Sequence, residues 1–203
     1  MNFLRGFSIN AAAGGLTFIL AFANQAYIAR CLGTYGRGQL ALAATSVTVG
    51  GMVFGEWLAR GNGFHSGSDP RMVGSVWRNT LGYCVILLLL LLLAALVVPA
   101  LADGGLTTGQ ALLLAAMVAA VVAQKGFAGI LQGCDRLTAY ALIPLLFISS
   151  YLAFSGVALG WLQAGLTGVL TAWLCAAILS ALLALGLSRT AGPIDRRLLQ
   201  LTA

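Results

Sequence analysis

The chain has 203 residues, 60% of them hydrophobic and 8% charged, with a net charge of +6 and a mean hydropathy of +0.97. Eleven basic and five acidic side chains cannot clothe a particle of this size in water, so a soluble globule is excluded and lipid must be the solvent. The alternating ~10-residue segments of a transmembrane β-barrel are absent, which leaves helices of about 20 residues across a hydrocarbon core of ~30 Å. The fold expected is therefore an all-α polytopic membrane protein, with room for six transmembrane helices and no separate soluble domain.

Because charge at bilayer depth is costly, uncharged stretches mark the spans. The first, 7–29, lies within the 24 uncharged residues between Arg5 and Arg30. Asn10, Gly14, Thr17, Ala21 and Asn24 recur on one helical face with Gln25 beside them. That series is either a packing seam or a cavity lining, and small and polar residues serve both. Ala21, Phe22 and Ala23 resemble a signal-peptide cleavage site, but Asn10, Gly14 and Gly15 interrupt the apolar region, so an uncleaved helix is expected. Arg30 and Arg37 bracket the outer connection, where solvation or headgroup contact explains them.

The second span, 39–59, offers Thr45, Thr48 and the pair Gly51/Gly55 in GxxxG spacing, which signals close helix packing. Glu56 and Arg60, one turn apart, predict an i,i+4 ion pair; the alternative for Glu56 is a protonatable coupling group. The connection to Arg78, with Gly61, Gly63, Ser66, Gly67, Ser68 and Pro70, has the composition of a flexible loop carrying a solvated His65. The third span, 79–101, follows. The fourth, 110–132, holds Lys125 about seven residues from its inner end, roughly 10 Å along the helix. Lys125 either snorkels to the headgroups or faces a cavity that receives a phosphate.

The 52 uncharged residues between Arg136 and Arg189 hold two spans, 138–160 and 166–187, joined by a turn at Gly160–Gly165. Pro144 removes a backbone hydrogen bond inside the fifth and predicts a kink. Gly156 and Gly160 form a second GxxxG pair. Trp173, inside the sixth span, does not fit an interfacial aromatic belt and is expected against a neighbour or lipid. The six-helix bundle thus covers 1–187, and 188–203 form a basic tail or linker whose Leu198, Leu199 and Leu201 read either as an amphipathic lead-in to further structure or as a helix lying on the inner leaflet.

With Lys125 left out as lying within a span, eight arginines on the side of the N-terminus against two, Arg30 and Arg37, on the other place both termini in the cytoplasm by the positive-inside rule. The basic charge is then topology and needs no nucleic acid. Four cysteines distributed over different compartments do not make a disulfide framework, and one histidine assembles no metal cluster. No cofactor is called for, and no nucleophile–base pair or phosphate-cradling loop points to an enzyme.

Ala29, Arg30, Leu32, Gly33, Gly36 and Gly38 carry an Ala-Arg-x-Leu-Gly-x-x-Gly-x-Gly pattern that resembles the first-to-second helix junction of polysaccharide flippases of the multidrug/oligosaccharidyl-lipid/polysaccharide exporter superfamily. Leu131, Gln132, Gly133, Arg136 and Tyr140 are similar to that family's junction between helices four and five. Pro193, Asp195 and Arg196 resemble its link into helix seven. The resemblance implies translocation of a lipid-linked oligosaccharide across the cytoplasmic membrane by two lobes that rock for alternating access, of which this chain supplies the N-terminal one. It matches Arg30 directly; depth and spacing add Lys125, Asn24 and Gln25 as candidate substrate-binding residues, with Glu56 the coupling candidate. The expected partners are membrane lipid, the lipid-linked sugar, and a second six-helix lobe or a second copy. The competing expectation is a non-transporting scaffold or accessory subunit, a truncated remnant of such a transporter.

Overall fold

The computed structural model describes residues 3–101 and 107–190. They form five helices: α1 (Phe3–Ser68), α2 (Val73–Leu101), α3 (Thr108–Gly133), α4 (Leu137–Gly160) and α5 (Gly165–Arg189), with a 3₁₀ turn at Pro70–Met72. All five are long and apolar enough to cross a membrane, and no strand occurs among the described residues. The predicted tail lies outside the described residues from 191 onward.

Six spans were expected, and the difference lies in α1, whose 66 residues contain both of the first two. A straight helix of that length would reach about 99 Å, three times the hydrocarbon core. The run is broken at Gly33, which adopts φ 66°, ψ −171°. A side chain there would be strained, and glycine has none. The break brings the two arms, 3–32 and 34–68, onto one cavity, lined by Gln25 from the first and Thr45 from the second. On a straight helix those residues would stand about 30 Å apart.

The turn predicted at 160–165 is present, with Gln163 and Gly165 at φ 47° and 57° reversing the chain between α4 and α5. Thr107 and Gln110 start α3 with a reciprocal capping box, each side chain bonding the other's backbone N–H. Pro144 sits inside α4 without ending it.

The stretch after Arg60 is not the flexible loop its composition suggested, because α1 continues to Ser68. The cause is tertiary: Gly63 and Gly67 lie against the backbone of Gly129 and Gly133 on α3, and a Cβ on Gly133 would overlap the Gly63 carbonyl oxygen. Helix–helix contact therefore outweighs the modest helix propensity of glycine. His65 is exposed, as expected, but on a helix. Asn62, also within the misread stretch, is buried and donates through Nδ2 to Thr80 Oγ1 of α2 (2.8 Å) and to the Gly126 carbonyl of α3 (2.9 Å). One amide thus ties three helices. Asn62→Ala is expected to destabilise the bundle by about 1–2 kcal/mol, read as a lower midpoint in detergent unfolding; an unchanged midpoint would show the amide to be dispensable.

Helix α3 is the centre of the bundle. Met117, Val122, Phe127, Ile130 and Leu131 are at most 1% exposed. Its neighbours approach through small residues: Gly51, Gly55, Ala59, Gly63 and Gly67 recur every fourth position on the second arm of α1, and Gly126, Gly129 and Gly133 answer them on α3. Gly50 lies at Val118 and Gly67 at Gly133, so this arm and α3 run parallel. The α4/α5 pair is antiparallel, with Ala158 beside Gly168 and Tyr151 beside Trp173. Arg136, between α3 and α4, donates to the Thr190 carbonyl (2.8 Å) and hydroxyl (3.2 Å), placing a cation at the negative end of α5. Large apolar side chains such as Phe18, Phe22, Leu42, Leu89 and Leu93 are exposed on the periphery, as suits contact with lipid.

Candidate functional site

Two groups of polar residues stand out within the spans. The first surrounds a cavity of about 490 Å³ between the two arms of α1 and the helices α4 and α5. Gln25 comes from the first arm, Arg37 and Thr45 from the second, Phe147 and Tyr151 from α4, and Trp173 from α5. Arg37, Ala41 and Thr45 share a wall because they recur every fourth residue. The three aromatic rings form a continuous wall, with centroids 6.1 Å apart for Phe147–Tyr151 and 5.9 Å for Tyr151–Trp173. The Trp173 indole N–H is buried without a hydrogen-bond partner. A space with an aromatic wall, an amide, a hydroxyl and a guanidinium can stack a ring, satisfy hydroxyl groups and attract an anion.

The second group is an ion pair between Lys125 of α3 and Glu56 of α1. Their side chains are 33% and 44% exposed, so the pair is reachable from outside the bundle. Gly51 and Gly55 line the course of the lysine: a Cβ at Gly55 would come within 3.2 Å of Lys125 Cδ, and one at Gly51 within 4.0 Å of its Cε. The first GxxxG pair therefore makes room for a charged stem as well as for a backbone. Gly156, in the second pair, has open space where a Cβ would stand, and Gly160 meets only the Tyr27 hydroxyl at 3.4 Å. Identical spacing has two different outcomes because the neighbours differ.

The five residues singled out from the sequence are thus dispersed. Gln25 lines the cavity. Asn24, its neighbour in sequence, is fully buried and neither end of its amide has a hydrogen-bond partner. Arg30 is exposed and stands outside the cavity lining, where Arg37 is found instead. Lys125 and Glu56 form one unit, in place of the expected pairing of Glu56 with Arg60. The lysine reaches a carboxylate on the adjacent helix across the glycine gap, where a Cβ at residue 55 would crowd its Cδ.

Arg37, Phe147, Tyr151 and Trp173 were missed as site residues. Trp173 did carry a signal, since an indole deep in an apolar span asks for a partner. Phe147 and Tyr151 carried none, because four-residue aromatic spacing on a helix is equally a core pattern. Comparisons of this chain with protein-family models, with curated proteins and with solved structures find no match.

Proposed function

We propose that this chain is one lobe of a membrane translocator that carries a lipid-linked oligosaccharide across the cytoplasmic membrane. In this reading the two arms of α1 cross separately, giving six crossings with both termini in the cytoplasm, and the lobe works against a second lobe or a second copy. The observation that carries it is the cavity between the arms of α1, α4 and α5, which pairs an aromatic wall with Gln25, Thr45 and Arg37 inside membrane-length helices. A saccharide offers the same pair of surfaces, an apolar ring face and a rim of hydroxyls. The resemblance of Ala29–Gly38 to a flippase helix junction supports the same cargo, and that segment contains the break that opens the cavity. Lys125 is assigned the lipid's phosphate, being a partly exposed cation well inside a span.

The test is translocation of a lipid-linked oligosaccharide in proteoliposomes, read by its accessibility to a glycosidase outside, for the chain alone and co-reconstituted with a second lobe. Trp173→Ala is expected to slow translocation about tenfold, the equivalent of one aromatic contact, while Trp173→Phe retains most of it. Absence of movement in every arrangement would overturn the transport reading and leave a scaffold.

A further inference from the structure

Lys125 is not an open cation, since the Glu56 carboxylate already occupies its ammonium. The pair stands eight residues, about 12 Å, before the end of α3 at Gly133, inside the hydrocarbon for a helix of this length. It is nevertheless partly exposed, and its lysine stem is confined along Gly51 and Gly55. An anion approaching Lys125 must therefore compete with a carboxylate of charge −1 held at hydrogen-bond contact.

From this geometry we infer that Glu56 is a charge filter: it excludes lipids with singly charged phosphodiester headgroups from Lys125 and admits lipids whose phosphate group carries about −2, a sugar-capped diphosphate or a phosphate monoester. The inference rests on the assignment of Lys125 to a lipid phosphate made above. A phosphodiester offers Lys125 no more charge than the carboxylate it would displace. It would also break the Glu56–Lys125 contact at membrane depth without a gain in charge to offset that loss. A phosphate monoester carries about −1.5 to −2 charges and three strong acceptor oxygens, and Coulomb attraction rises in proportion to the charge. Arg60, one helical turn beyond Glu56 on the same arm, offers the displaced carboxylate a second cation whichever lipid binds, so the charge of the incoming phosphate decides between them. Glu56 thereby biases the site toward the more highly charged lipid.

The full chain in phosphatidylcholine nanodiscs, doped with either phosphatidic acid or phosphatidylglycerol of the same acyl chains, tests this by native mass spectrometry. The wild type is expected to retain phosphatidic acid in preference to phosphatidylglycerol. Glu56→Gln should raise phosphatidylglycerol retention about fivefold, the equivalent of a partly exposed ion pair, and narrow the preference. Lys125→Gln and the double variant Glu56→Gln/Lys125→Gln should retain neither lipid above the phosphatidylcholine background; the double variant leaves no unpaired charge and so separates loss of binding from misfolding. Inorganic phosphate should not displace the lipid. Displacement by it would show that a free anion suffices and overturn the lipid assignment. Equal retention of both lipids by the wild type, or no gain in Glu56→Gln while Lys125→Gln still loses binding, would overturn the filter and keep the lysine as phosphate receptor. Wild-type retention by Lys125→Gln would overturn that assignment itself.

Discussion

Gly129→Ala is expected to destabilise the protein by about 3 kcal/mol, at the upper end of overpacking substitutions, and to lower its detergent-unfolding midpoint accordingly. The added methyl would overlap the Ala59 carbonyl oxygen and stand 2.9 Å from the Ala59 Cα. Both are backbone atoms, so no rotamer change can relieve the clash; α1 and α3 must separate. The same separation would strain the contacts at Gly63–Gly133 and the Asn62 hydrogen bond to Gly126, which depend on the close approach. Gly156→Ala is the control, since nothing lies within 4 Å of its would-be Cβ. It should change stability by no more than a few tenths of a kcal/mol or raise it, given the better helix propensity of alanine. Equal effects at the two positions would refute the seam.

The Glu56–Lys125 pair is expected to show a coupling of about 1–2 kcal/mol in a double-mutant cycle, smaller than for a fully buried pair because both side chains are partly exposed. Lys125→Ala leaves a carboxylate in hydrocarbon without its lysine, and Glu56→Ala leaves a lysine that must snorkel. The double variant removes both penalties, so its loss should be smaller than the sum of the two single losses. Unfolding midpoints of the four proteins in one detergent decide the matter, and additive losses would show that the pair contributes nothing to the fold. This cycle concerns stability alone and is independent of which lipid the lysine meets.

Much of the architecture was legible because it follows from transfer energies of single residues. A run free of charge must lie in the membrane wherever its neighbours are, so the ends of α3, α4 and α5 fall within a few residues of the spans read from the sequence. The α4–α5 turn was legible for a similar reason, since its signal is held within six consecutive residues. The stretch 60–68 was misread because glycine has two opposite uses, as a breaker in an isolated chain and as a point of close approach in a bundle. Only the presence of Gly129 and Gly133 opposite decides between them.

The candidate site was legible in its parts and illegible in its assembly. Glu56 and Lys125 each drew notice by charge at depth, yet they are 69 positions apart, and nothing local to either names the other. Gln25 drew notice too, but the Phe147, Tyr151 and Trp173 wall facing it belongs to helices whose place beside α1 is set by the whole packing. The sequence by itself determined that this chain lives in lipid, how much of it is helix, and which residues bear an energetic cost there, because those are one-residue properties summed along a window. The tertiary structure alone decided which glycines are contacts, which carboxylate answers Lys125, and where a cavity opens, because each depends on surfaces brought together from distant parts of the chain.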